Sequence, residues 1–324
     1  MISPLQVRGL HHFWSWASGR APAQPLSMTD RIMLDALGLG LGQVCSYLAQ
    51  ERPDFAAFEA WILEMAGPPD PSTVARYHAR LDGAPPPEPV CAQLAAIDAM
   101  APVLDAADLA HWEAEGWVIL RDAVTREEAK AAEDFLWRLA EADPADPESW
   151  YTNRPGGIMI EQYQHPAQAA LRRSPRVHKA YAQLWGTSDL WTIVDRMSFN
   201  PPARPRSPGL GLRLHWDCSL ALPVPFATQG ILYLTDTTAD QGALELVPGF
   251  HRRLESWLAG LGDRDPRQED ISADAITIAA GAGDLVIWHQ ALPHGASPNR
   301  AQRPRMAQYL NMYSPDWQMH LEWR

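Results

Sequence analysis

His215, Trp216 and Asp217 fall together in LRLHWDCSLAL, a stretch whose composition suits a β-strand. Successive strand side chains point to opposite faces, so His215 and Asp217 share one face while Trp216 turns outward to pack. His294 follows in LPHGASPN, and Arg305 begins the alternating run RMAQYLNMY. Two imidazoles and one carboxylate on one side of a metal form the facial triad of non-haem Fe(II) oxygenases, which leaves open coordination positions. His289 competes with His294 for the second imidazole. It lies five residues earlier, at the end of the apolar run DLVIWH, where a packed core histidine is the commoner outcome.

Charge bookkeeping gives the arginine a task. Fe(II) carries two positive charges, Asp217 removes one, and a 2-oxoacid chelating through its carboxylate and keto oxygen removes the other. If that cosubstrate is 2-oxoglutarate, its distal carboxylate remains an anion in a site of low dielectric, where an unpaired charge is costly. A guanidinium offers it a planar bidentate fork. Alternation along its strand aims Arg305 into the interior beside Tyr309 and Asn311.

HWD, QGALELVPGFHR, GDLVIWHQALPHGASPN and an arginine eleven positions after His294 together resemble the phytanoyl-CoA dioxygenase family of Fe(II)/2-oxoglutarate oxygenases, from about Leu104 to Ser314. The opening segment HWEAEGWVILRDAVTREEA is similar to the family's helix, strand and second helix. The resemblance implies a fold that is mainly β with flanking helices (α+β), built on a double-stranded β-helix (jelly-roll, cupin-like) core. It also implies iron at His215, Asp217 and His294, 2-oxoglutarate bound through Arg305, and O2 as oxidant. Many members hold 2-oxoglutarate with a serine two residues after the distal histidine; here Ala296 stands there, with Ser297 next to it as the candidate. Related halogenases have a small residue in place of the carboxylate. Retention of Asp217 favours hydroxylation of an unactivated C–H bond, with 2-oxoglutarate decarboxylated to succinate and CO2. A metal-binding jelly roll without oxygenase activity, such as a cupin isomerase or an interaction protein, is the alternative of another class.

The elements that must position these residues occupy the second part of the chain. Up to about Gly83 the sequence reads as helices: SMTDRIMLDALGLGLGQVCSYLAQ, then PDFAAFEAWILEMAG, then DPSTVARYHARLDG with Asp70 or Ser72 as cap. No metal-ligand spacing occurs there, and His11, His12 and His78 read as surface or packed residues. GAPPPEP, residues 83 to 89, cannot continue a helix. The domains are therefore read as residues 1–100, a helical N-terminal extension, and 101–324, the oxygenase domain. Asp105 opens a helix that Gly116 closes, WVIL is an apolar strand, and Thr125 with Glu128 forms a capping box for the next helix. DPADPESWYTNRPGG reads as a long loop, LWTIVDRMSF as a strand, and NPPARPRSPG as a proline-rich loop before the metal strand.

Arg213 lies two residues before His215, so a regular strand would face its guanidinium inward, either to anchor a substrate anion or to pair with an acid such as Glu245. Tyr151, Arg154 and Gln162, with Arg204 or Arg206, are the loop candidates for substrate binding.

With 39 acidic against 27 basic side chains, the chain is unsuited to general binding of nucleic acid or an anionic membrane. Cys45, Cys91 and Cys218 are widely spaced and odd in number, which suggests neither a disulfide framework nor a zinc motif. MISPLQVRGLHHFWSW lacks a basic segment followed by an apolar run. The expectation is a cytoplasmic enzyme with a small-molecule substrate and no nucleic-acid or membrane partner, a homo-oligomer being left open.

Overall fold

The computed structural model describes residues 5–152, 157–204, 212–318, 320 and 322–324. By residue count helix outweighs strand, about 41% against 15%, yet every candidate metal ligand lies on or beside a strand.

The long N-terminal apolar run divides into two helices, Met28–Ala36 and Leu41–Glu51, bent by 92°. At the break Gly38 takes φ +73°, a left-handed conformation that costs glycine nothing sterically. Ser27 and Asp30 form a capping box ahead of the first of these helices. Asp70 rather than Ser72 caps Pro71–Leu81, accepting from the Thr73 amide at 2.8 Å. Phe58 is fully buried here, with Phe55 and Trp61 packed around the same cluster. Among the described residues no single helix is long and apolar enough to cross a membrane.

This helical cluster also contains Trp191 and Tyr313 from beyond residue 100. Polar contacts bind the two regions as well. Asp35 accepts from the Val194 amide at 2.9 Å and the Tyr313 hydroxyl at 2.8 Å, and Gln164 donates to the Gly38 carbonyl at 2.9 Å. One of these contacts explains why LWTIVDRMSF is not one strand. Asp35 takes the Val194 amide, Arg196 N donates to its neighbour Asp195, and the stretch splits into Trp191–Thr192 and Met197–Asn200.

Beyond residue 100 the predicted start is present: helix Ala106–Glu115 between Asp105 and Gly116, strand Trp117–Leu120, and helix Arg126–Leu139 behind the Thr125–Glu128 capping box. Besides the two-stranded pair Trp191–Thr192 with Met312–Tyr313, two main antiparallel sheets follow. The larger runs Trp117–Leu120, Leu285–His289, Thr228–Tyr233, Arg305–Tyr309, Met197–Asn200, Met159–Ile160; the smaller runs Leu212–His215, His294–Ala296, Leu244–Leu246, Ile276–Ile278. They face each other as the jelly roll. Helices cover the outer face of the larger sheet, and Phe250–Leu261 packs its Phe250, Leu254 and Leu258 into the core beside Trp216.

Candidate metal centre

His215 ends the first strand of the smaller sheet, Asp217 lies just past it, and His294 begins the neighbouring strand in register with His215. One ligand atom from each lies within 4.8 Å of the others. The imidazole that the fold groups with His215 and Asp217 is that of His294. His289 instead stacks on His251, ring centroids 5.2 Å apart, beside Phe226 and Trp112, and its Nδ1 accepts from the Ala291 amide at 3.0 Å. Burial, aided by the charge of His251, pushes His289 down to about 4.

Hydrogen bonds fix the tautomers of both ligating rings. His215 Nδ1 lies 2.8 Å from the Arg213 carbonyl, and His294 Nδ1 lies 3.1 Å from the Leu292 carbonyl. A carbonyl can only accept, so each Nδ1 carries a proton and Nε2 is the nitrogen turned toward Asp217. Those nitrogens lie 3.5 Å from Asp217 Oδ1 for His215 and 3.2 Å from its Oδ2 for His294. Two imidazole nitrogens and one carboxylate brought together in this way are a donor set that fits a divalent metal ion. Burial alone would push Asp217 up; contacts with His215 and His294 overcome it and hold the carboxyl well below the usual range. His215 is raised, first by Asp217, against the opposing effect of burial.

A group that sequence reasoning missed holds the carboxylate. Gln229 Nε2 donates to Asp217 Oδ2 at 2.7 Å, and its Oε1 accepts from Trp288 Nε1 at 3.0 Å. The signal was present: Gln229 is a polar residue on the face that Ile231 and Tyr233 bury in the strand TQGILY.

The trio opens on a cavity of about 390 Å³ between the sheets, whose wall includes Trp288, Ala296, Arg305, Tyr309 and Asn311. Arg305 is 1% exposed. Its Nε donates to the Gly242 carbonyl at 3.0 Å and its Nη1 to the Ser198 hydroxyl, and among the described residues it forms no ion pair. A buried guanidinium held only by neutral groups leaves a charge uncompensated, so an anionic ligand in this cavity would be favoured.

The remaining predicted residues do not gather at the cavity. The strands carrying His215 and His294 are bulged: His294 pairs with His215 but Ala296 with Leu212, four residues opposing three. The extra residue breaks the alternation. Arg213 consequently is exposed, its Nη2 3.4 Å from the Gln268 carbonyl, with no ion pair to Glu245. Ala296 lines the cavity, whereas Ser297 does not, its buried Oγ having no described partner. Tyr151 donates to the Pro202 carbonyl at 2.6 Å under the guanidinium of Arg204, which pairs with Glu148 at 2.7 Å. Gln162 donates to the Gln164 carbonyl at 2.7 Å, also away from the cavity wall. Arg154 and Arg206 lie outside the described residues. Trp216 packs outward as expected, donating to the Ala291 carbonyl at 2.9 Å.

Residues 112–307 match the family described as Phytanoyl-CoA dioxygenase (PhyH). A provisionally named phytanoyl-CoA dioxygenase of Dictyostelium discoideum is 22% identical over 264 residues, 62% of this chain and 73% of its own. The non-haem α-ketoglutarate-dependent carbocyclase SnoK of nogalamycin biosynthesis is similar in fold, with TM-score 0.50 and 18% identity over 69% of this chain and 88% of its own. HygX from Streptomyces hygroscopicus, solved with nickel and 2-oxoglutarate bound, aligns at TM-score 0.48 and 17% identity over 66% of this chain and 88% of its own.

Proposed function

Because the chain belongs to the phytanoyl-CoA dioxygenase family, for which Fe(II) and O2 are typical, we propose that it hydroxylates an unactivated C–H bond of a small molecule, with Fe(II) held by His215, Asp217 and His294 and 2-oxoglutarate held by Arg305. One observation carries this reading: a buried guanidinium without a carboxylate partner among the described residues lines the same cavity as three metal-ligating side chains. When bound, the metal and cosubstrate supply oxidising power: 2-oxoglutarate is decarboxylated to succinate and CO2, with one atom of O2 in succinate and the other in the product.

The chain's own groups supply position and charge. His215 and His294 present Nε2 because backbone carbonyls hold their other nitrogens. Asp217 contributes the single negative charge and, by occupying a coordination position, disfavours halide and so halogenation. Gln229 fixes the carboxylate that Asp217 turns to the metal. Trp288, Ile231 and Leu244 exclude water from the cavity wall.

Titration of 2-oxoglutarate into protein loaded with Ni(II) tests cosubstrate binding, and succinate formation with Fe(II) under air tests turnover. With a substrate in hand, 18O2 should leave one labelled atom in a hydroxylated product; an unlabelled, cyclised or epimerised product would replace hydroxylation with another oxidation. Absence of both 2-oxoglutarate binding and succinate would leave a metal-binding jelly roll without oxygenase activity.

A further inference from the structure

The N-terminal helices form part of the cavity wall. Leu26, Arg31 and Leu41 line it with the metal-ligating trio. Arg31 Nε donates to Asp35 Oδ2 at 3.1 Å, and the guanidinium also hydrogen-bonds the Tyr313 hydroxyl and lies 5.9 Å over the Tyr313 ring. Asp35 already accepts from the Val194 amide and the Tyr313 hydroxyl. Asp35 and Tyr313 thus orient a guanidinium that lines the cavity.

Asp195 lines the same cavity. Its Oδ1 accepts from the Arg196 amide at 2.7 Å and lies 3.8 Å from Arg196 Nε, while Oδ2 has no described donor. The side chain is 36% exposed, although burial within the fold pushes its carboxyl up. Arg196, which also lines that wall, gives its Nη1 to Glu161 at 2.6 Å. Arg31 and Asp195 form no ion pair with each other, but each charge acts on the other. A simple anion held by Arg31 would be repelled by Asp195, and a simple cation held by Asp195 would be repelled by Arg31. A ligand carrying both charges satisfies both, and Ile193, Leu26 and Met159 offer apolar wall for its carbon frame.

Resting on the oxygenase reading above, we propose that Arg31 and Asp195 determine substrate specificity by binding the carboxylate and the ammonium group of an α-amino acid. The N-terminal helices then complete the substrate site.

The test uses the full chain loaded with Ni(II) and 2-oxoglutarate, titrated with the twenty common L-α-amino acids, each beside its α-amide and its des-amino acid. At least one amino acid should bind, with both truncated analogues about tenfold weaker or worse, the scale of a lost charge-assisted hydrogen bond. Arg31→Gln should abolish the preference for acid over amide and keep that for amine over des-amino acid; the isosteric Asp195→Asn should do the reverse. The inference is overturned if 2-oxoglutarate binds and no amino acid does, if a truncated analogue binds equally well, or if both variants keep both preferences. Failure of 2-oxoglutarate itself to bind sinks the oxygenase reading and this inference with it.

Discussion

At the scale of single residues, the centre is defined by which nitrogen each histidine offers and by what neutralises each charge. His215, Asp217 and His294 meet those terms and His289 does not, its ring being neutral and packed. His215→Ala, Asp217→Ala and His294→Ala should each abolish metal binding and turnover in a folded protein. His289→Ala should retain both; a metal titration showing the reverse pattern for His289 and His294 would overturn the ligand assignment. Gln229→Leu removes the donor that holds Asp217, and loss of such a supporting hydrogen bond typically lowers metal affinity about ten- to a hundredfold. Unchanged affinity in that variant would make Gln229 incidental. Arg305→Ala should weaken 2-oxoglutarate by about 2 to 5 kcal/mol, roughly thirtyfold or more, the usual cost of truncating one partner of a buried charge pair. Arg305→Lys should also be impaired, since an ammonium cannot form the two-pronged contact, and titration of both variants decides the matter.

At the scale of elements, legibility followed locality. Caps and closures at Asp105, Gly116, Thr125 and Glu128 were readable because each acts within its own turn. Arg213 was misplaced because parity along one strand says nothing about a bulge, which exists only once the partner strand is present. Asp35 could not be seen as the residue that splits a strand some 159 positions away, because only the tertiary fold brings the two together. Gly230 is another such case. It sits in strand Thr228–Tyr233 with ordinary backbone, yet a Cβ there would collide with the Tyr181 hydroxyl and the Leu310 carbonyl. Those two groups are themselves hydrogen-bonded at 2.7 Å, and Leu310 N donates to the Gly230 carbonyl at 3.1 Å. The crowding is therefore against backbone that cannot swing aside. Gly230→Ala should cost about 1 to 3 kcal/mol, the usual penalty of overpacking, measured as a lower denaturation midpoint. A variant as stable as the parent would mean that the strand shifts freely at this point.

At the scale of the whole molecule, burial of histidines sets an acid limit. His78, His165, His178, His251 and His289 are all lowered, each chiefly by burial, while His215 is raised by Asp217. A lowered histidine is neutral in the fold and takes up a proton sooner when unfolded, so its contribution to stability is complete above the ordinary value and lost as pH falls. For His289 the window runs from 6.5 down to about 4, which at about 1.4 kcal/mol per unit amounts to at most about 3.5 kcal/mol. Asp35 and Asp195 act in the opposite sense, because burial raises them and protonation relieves the fold. Their relief sets in as pH falls through their raised values and opposes the loss from the five lowered histidines. Thermal denaturation should therefore show falling Tm as pH is lowered from 7.5 to 5. His289→Gln keeps an acceptor for the Ala291 amide, which His289 Nδ1 receives at 3.0 Å, and removes the titrating ring. Its Tm should depend less on pH than that of the parent. Equal slopes would assign the acid sensitivity to the other buried histidines and show that His289 can be protonated in place.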